Sequence, residues 1–544
     1  MSSFKLFANV VDLSARSSKP AAMIVEAGRI VAIEATEKAC PTFVLPGFVD
    51  SHVHIESSML TPGHFAQAAV VHGTVATVSD PHEIANVLGV KGVRYMLEDA
   101  KRVPFKFAFG APSCVPATAF ESAGAALDVT DVTKLLDDPA IYYLSEVMNF
   151  PGVLANDPDL HAMIQAAKQR GKPVDGHAPG LRGAEARQYA DAGITTDHEC
   201  FTLEEAEDKL NAGMTIQIRE GSAAKNFEAL WPLIDRYPGR VMLCSDDKHP
   251  DELIRGHIDA LVRRAIAIGC DPYNVLIAAC QVPVRHYGLP VGQLKVGDPA
   301  DFIEVDSLTE FRVLRTFIDG ETVAEQGRSN IEVDPAGPVN YFECGRQSAQ
   351  GFAVPDRPDA KLRVIGAIDG QLVTNELAME PTRCDGLAVA DPSRDILKLV
   401  AVNRYDARAK PAVAFVHGFG LQRGAIAGSV GHDSHNILAV GTSDQDLAEA
   451  VNAVIQERGG LAAVGDGSIK TLALDVGGLM SVRPCEQVAR DYEALCKMTQ
   501  ELGTTLASAF MTLSFMGLLV IPQLKLSDRG LFDFNRFDLV DLWV

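Results

Sequence analysis

Residues 47–56 read Gly-Phe-Val-Asp-Ser-His-Val-His-Ile-Glu. An apolar run ends here in two histidines spaced i and i+2. On an extended backbone that spacing points His52 and His54 to one face, so both can close on a single metal ion at the end of a strand. Imidazole suits zinc, manganese and iron among others. A lone His-x-His pair is common without a metal. The pair gains weight because acidic residues and further histidines recur at the ends of later apolar runs.

Those runs are VLPGFVD, GTVATVSD, FKFAFGAPS, IYYLSEVMN, KPVDGHAPG, GITTDHE, MTIQIREGS and RVMLCSDD. Between them lie longer helical stretches, which is the pattern of βα units on a parallel sheet. Eight units in about 250 residues is the arithmetic of a (β/α)8 TIM-like barrel, where the loops after the strands build the site. The expected organisation is α/β throughout. Residues 1–46 and 291–333 form a small β-sandwich from both flanks of the barrel at 47–290. A Pro-, Gly- and Gln-rich linker at 334–358 leads to an additional C-terminal α/β domain at 359–544.

Bulk properties narrow the classes. The 544 residues, 47% hydrophobic and 22% charged, suit a soluble globular protein of several domains. With 49 basic against 71 acidic residues the net charge is −22, which repels nucleic acid and anionic lipid; a neutral small molecule is not excluded. The ten cysteines contain no CxxC pair, which favours reduced thiols in a cytoplasm. The first twenty residues lack an apolar run followed by a cleavage site, so export is not expected. The stretch 502–524 carries no charge and is long enough to span a bilayer, but its Ser, Thr, Gly and Pro content reads as buried core rather than a membrane anchor.

The strand ends hold a constellation. His52 and His54 follow the first strand, Asp80, His82 and Glu83 the second, and Glu146 the fourth. His177 ends the fifth, His198 and Glu199 the sixth, and Asp246 and Asp247 the eighth. Four of the 14 histidines, His52, His54, His177 and His198, thus end strands where a barrel gathers catalytic groups. Two cations about 3.5–4 Å apart need an anionic ligand between them, and Glu146 is placed to bridge. A water shared by such ions has its pKa lowered from about 15.7 toward roughly 7, and Asp246 can reach both metal and substrate to accept its proton.

This pattern resembles the amidohydrolase superfamily and, within it, the adenine deaminase branch. The strings DSHVHIESSM, DPHEIANVLG, PSCVPA, DGHAPGL, IREGSAAKN, LCSDD and GHIDALVRR carry the likeness through the barrel, and GLQRGAIAGSVGHDSHNI, GGLMS and FMTLSFMGLLVIPQLKL extend it beyond. The resemblance implies His52, His54, Glu146, His177, His198 and Asp246 as ligands of two divalent ions, manganese or iron, with zinc also accepted. A glutamate bridge departs from relatives that use a carboxylated lysine and agrees with this branch. The implied reaction is hydrolysis of adenine to hypoxanthine and ammonia in purine salvage, a metal-bridged hydroxide adding to C6. Asp246 is the proton relay, and the ring nitrogen N1 must also gain a proton, from a group the sequence does not identify.

Asp80 and Glu83 are expected to orient ligands or carry protons, Glu83 otherwise capping the next helix. Arg219, Glu220 and Ser222, and more weakly Ser113, are candidates to read the purine edge; a loop pair of Arg219 with Glu220 is the bland alternative. His432, Asp433, His435 and Asn436 look like another metal cluster, kept as neighbours of the barrel mouth. HGFGLQRG has the wrong glycine spacing for a dinucleotide fingerprint. Rival readings are another amidohydrolase reaction, on a cyclic amide or a different nucleobase, and a metal-bound scaffold without turnover. A homo-oligomer is compatible with the large apolar C-terminal region.

Overall fold

The computed structural model describes residues 3–222 and 224–544. Its centre is a ring of eight parallel strands: β1 Phe48–Val53, β2 Thr74–Ser79, β3 Lys106–Ala111, β4 Ile141–Val147, β5 Val174–Gly176, β6 Thr196–Asp197, β7 Thr215–Arg219 and β8 Val241–Cys244. Every one of the eight apolar runs therefore became a barrel strand. β1 to β5 pair in sequence order, as do β6 to β8. The ring closes through Thr195 N–H to the Val174 carbonyl at 2.8 Å and through Asp246 N–H to the His52 carbonyl at 2.9 Å. Strands such as TVATVS are buried on both faces, as a parallel sheet wrapped by helices requires.

Helices cross between the strands and are started by local chemistry. Asp128 accepts from Asp131 N–H at the head of Val129–Leu136, and Thr202 accepts from Glu205 N–H at the head of Leu203–Asn211. Two strands change register where the expected ligands lie. β1 slips against β2 between Asp50 and Val53, and β4 slips against β5 between Leu144 and Val147. Such bulges re-aim side chains. Here they set His52 and Glu146 toward the mouth of the ring.

The flanks of the barrel meet in one eight-stranded sheet, joined where Phe43–Pro46 pairs antiparallel with Phe302–Val305. It curls until Ile30 N–H reaches the Asp298 carbonyl at 3.0 Å, so that Met23, Val25, Ile30, Phe302 and Phe317 share one core. Residues 330–348 run without helix or strand, but a 3-10 helix, Ala349–Phe352, and a strand, Val354–Pro355, lie inside the stretch expected as a linker. That stretch is anchored to the barrel by Ala336 N–H on the Asp99 carboxylate at 2.7 Å.

A second eight-stranded sheet, built from strands between Leu362 and Ala473, carries the C-terminal region. The helix Asp444–Glu457 buries Leu447, Val451 and Val454 against it. The uncharged stretch at 502–524 is folded core: Ala509–Ser514 is a buried helix that passes into a 3-10 turn, Phe515–Gly517. Among the described residues no helix is long and apolar enough to cross a membrane.

Candidate metal centre

At the mouth of the ring the imidazoles of His52 and His54 face each other, Nε2 to Nε2, at 3.2 Å. His54 Nδ1 lies 3.3 Å from the Asp80 carbonyl oxygen. A carbonyl only accepts, so Nδ1 carries the proton and the Nε2 lone pair of His54 points into the site. That lone pair lies 3.4 Å from Glu146 Oε1 and 3.4 Å from Asp246 Oδ1. His52 Nε2 is 3.6 Å from the same Asp246 oxygen.

Glu146 joins this group to a second one. Its Oε2 lies 2.8 Å from His177 Nδ1 and 3.2 Å from His198 Nε2. One carboxylate thus offers an oxygen to each of two donor sets, one with His52, His54 and Asp246 and the other with His177 and His198. Two ligands about 2.1 Å from one ion, at 90–110°, stand about 3.0–3.4 Å apart. The separations around His54 match that spacing, whereas donors meeting only each other would bring lone pairs together. The residues fit a metal centre.

Asp246 is held in place by its backbone. Its φ of 53° is left-handed, unusual for a residue with a side chain, and its N–H closes the barrel on His52. Strain of this kind collects at functional sites. Burial alone would push its carboxyl up, but the Arg219 guanidinium and then His54 hold it well below the usual carboxylate range. Burial likewise opposes ionisation of Glu146, and His177 and His198 overcome it to keep that carboxyl well below its ordinary value. Both groups are ionised, as ligands must be.

Arg219 lines the cavity with its guanidinium engaged by two carboxylates. Its guanidinium forks onto Glu199, with Nη2 to Oε2 at 3.0 Å, and Nη1 reaches Asp246 Oδ2 at 2.7 Å. The neighbours expected to act with it point elsewhere, which corrects the sequence reading. Glu220 pairs with Arg264 at 3.0 Å, and the Ser222 hydroxyl bonds Glu252 Oε2 and the His249 N–H, both at 2.9 Å. Successive residues of a strand alternate faces, so Arg219 inward sends Glu220 outward. Ser113 also serves the protein rather than a ligand: its hydroxyl donates to the Glu146 carbonyl at 2.7 Å. Asp80 orients two imidazoles, His54 through its carbonyl and His82, whose Nδ1 stands 3.2 Å from Asp80 Oδ2.

Glu83 does line the cavity over the centre, and His432 and Asp433 arrive beside it from the C-terminal region. Glu83 takes His432 Nδ1 on one oxygen and His435 Nε2 on the other, at 2.5 Å for the second. Asn436 stays back, its amide on the Ser122 carbonyl at 2.8 Å. Four apolar residues complete the lining: Met148, Leu372, Phe515 and Leu518. Phe515 and Leu518 lie in the string FMTLSFMGLLVIPQLKL, which the resemblance singled out, whereas nothing in the sequence marked Met148 or Leu372. His432 stacks on Phe515 with ring centroids 4.7 Å apart.

The barrel and its closing strands coincide with a family match. A profile of the amidohydrolase family covers residues 43–323, and one described as the adenine deaminase C-terminal domain covers 371–538. The chain is 56% identical over 543 residues to an adenine deaminase of Salinibacter ruber, covering 100% of this chain and 99% of that one. It belongs to the adenine deaminase family. Adenine deaminases of Sulfurovum sp. and Methanosarcina mazei are 54% and 50% identical, each covering 98% of both chains. The match to the adenine deaminase C-terminal domain includes Leu372, His432, Asp433, Phe515 and Leu518, so the matched region roofs the candidate metal centre.

Proposed function

We propose that the chain hydrolyses adenine to hypoxanthine and ammonia at this centre, with two divalent cations, manganese or iron, held by His52, His54, Glu146, His177, His198 and Asp246. The observation that carries the reading is Glu146, whose two oxygens each face a separate set of nitrogen donors beneath a roof belonging to the adenine deaminase C-terminal region. When bound, the cations supply the Lewis acidity that makes water nucleophilic near neutral pH.

The remaining steps belong to the chain. Asp246, ionised and with Oδ2 fixed by Arg219, takes a proton from the attacking water as the oxygen adds to C6. It returns that proton to the exocyclic nitrogen, which leaves as ammonia. N1 gains a proton as C6 becomes tetrahedral and keeps it in hypoxanthine; the second proton of the water, lost from the C6 hydroxyl as the carbonyl forms and ammonia leaves, offsets it. His177 and His198 hold the second oxygen of Glu146, and Asp80 fixes the tautomer of His54. Phe515, Leu518 and Leu372 present an apolar surface to a flat ring and shield the site from bulk water. The carboxylates of the cavity repel a phosphorylated substrate, which favours the free base over a nucleotide.

Ammonia release from adenine, adenosine, guanine and cytosine tests the reading on manganese-loaded protein. Turnover of adenine alone is expected. Turnover of adenosine without adenine, or silence on all four, would overturn it in favour of another amidohydrolase reaction. Asp246→Asn is expected to abolish turnover while most of the metal stays bound.

A further inference from the structure

The imidazole of His82 stands between two groups of anions. Its Nδ1 faces Asp80 Oδ2 at 3.2 Å and Glu146 Oε1 at 3.4 Å, on the side of the metal centre. Its Nε2 faces the other way, 3.5 Å from Glu83 Oε1 and 3.7 Å from Asp433 Oδ1. His82, Glu83 and Asp433 are buried, and the two contacts of Nε2, at 3.5 and 3.7 Å, are too long for hydrogen bonds. Yet the three atoms lie within 4.8 Å of one another, a triangle about the size that ligands subtend around one ion at 2.1–2.3 Å.

The surroundings are those of a supported ligand set. Asp80 behind His82 is the carboxylate–histidine arrangement that sets a metal-binding imidazole with its far nitrogen free. Glu83 is braced by His432 on one oxygen and His435 on the other. The second oxygen of Asp433 is buried with no hydrogen-bond partner. Two carboxylates converging on one imidazole nitrogen in a water-poor site are costly unless positive charge lies among them.

We propose that the chain binds a third divalent cation here, on His82 Nε2, Glu83 Oε1 and Asp433 Oδ1. One imidazole and two carboxylates suit first-row ions such as manganese, iron or zinc. The site is separate from the Glu146 centre because the His82 ring lies between them. Its ligands come from both halves of the chain, two from the loop and helix after β2 and one from the turn at 431–436. The ion therefore fastens the C-terminal roof to the barrel.

The test uses the full-length chain, stripped with chelator and reloaded with Mn2+ alone. Crystals of the wild type measured at the manganese edge should give an anomalous peak among His82, Glu83 and Asp433, besides those around Glu146. In solution Asp433→Asn should bind one equivalent fewer than the wild type. Peaks around Glu146 with none at His82, or equal metal content in wild type and variant, would overturn the proposal. A peak at His82 without a pair around Glu146 would uphold it and instead overturn the two-ion reading above. The wild-type crystal decides the question even if the variant fails to fold.

Discussion

Arg219 Nη1 lies 2.7 Å from Asp246 Oδ2, while the other oxygen of Asp246 is turned to His52 and His54 at 3.6 and 3.4 Å. The proton relay is thus held from behind by a buried guanidinium that also forks onto Glu199. Arg219→Met leaves two buried carboxylates without their cation, a change that costs about 3–5 kcal/mol when one partner of a buried pair is removed. Denaturant unfolding should register that loss. Arg219→Lys should recover only part of it, because one ammonium cannot fork onto Glu199 and reach Asp246 together.

Glu146 faces both donor sets; Glu199 also stands near the second, its Oε1 3.7 Å from His177 Nδ1 and 3.5 Å from His198 Nε2, but it reaches neither His52 nor His54 and is held by Arg219. Glu146→Gln keeps the shape but removes the negative charge and one of the two donor oxygens. Metal content after reloading with manganese should fall by about one equivalent, and kcat for adenine by about 10²-fold or more. A variant with full metal content and full activity would remove Glu146 from the bridging position.

The barrel was legible because its strands are short apolar runs with turn residues between them, and its ligands sit at strand ends where the pattern breaks. His52 and His54 are neighbours in the chain and needed only the period of two to be placed together. Arg219 lines the cavity as expected of a purine contact, but its pairing was not foreseen: alternation puts Glu220 on the outer face, and the Arg219 guanidinium meets Glu199 and Asp246 instead. The roof was legible only through the resemblance, which picked out the GHDSHN turn and the string holding Phe515 and Leu518 but not which of their side chains face the cavity. Leu372, Phe515 and Leu518 are ordinary apolar residues whose meeting over β1 and β4 depends on how a separate sheet docks. The GHDSHN turn was visible as a polar cluster, but its approach to Glu83 is a tertiary fact.

Glu121 gives a pH signature. It accepts from the Thr118 N–H and hydroxyl at 3.1 and 3.0 Å on one oxygen, and the other is buried without a partner. Burial, with Asp433 adding to it, pushes its carboxyl up to about 8. The folded chain then holds a proton that the unfolded chain gives up near pH 4.5. Its contribution to stability is complete below about pH 4.5 and is lost progressively as pH rises toward 8. Glu121→Gln fixes the neutral form, so the fall in unfolding midpoint between pH 5 and 8 should be shallower in the variant. Parallel profiles for variant and wild type would show that Glu121 ionises normally.

Lys525 should act in the opposite direction and also through the roof. It is buried with no carboxylate partner, and its Nζ donates to the Leu372 carbonyl at 2.6 Å and the Phe515 carbonyl at 3.0 Å, two residues that line the cavity. Burial lowers its pKa to about 7 from the ordinary 10.5. Between those values the unfolded chain binds the proton that the folded chain releases. The stability contribution is therefore complete above about pH 10.5 and is lost as pH falls toward 7. Lys525→Met deletes this slope and both hydrogen bonds. The variant should lose the rise in unfolding midpoint between pH 7 and 10. Two carbonyls freed of their donor cost about 1–3 kcal/mol each if left unsatisfied. With the roof loosened over the ring but the metal ligands untouched, KM for adenine should rise several-fold more than kcat falls. A variant that loses kcat and keeps KM would place Lys525 in the chemistry rather than in the positioning of Leu372 and Phe515.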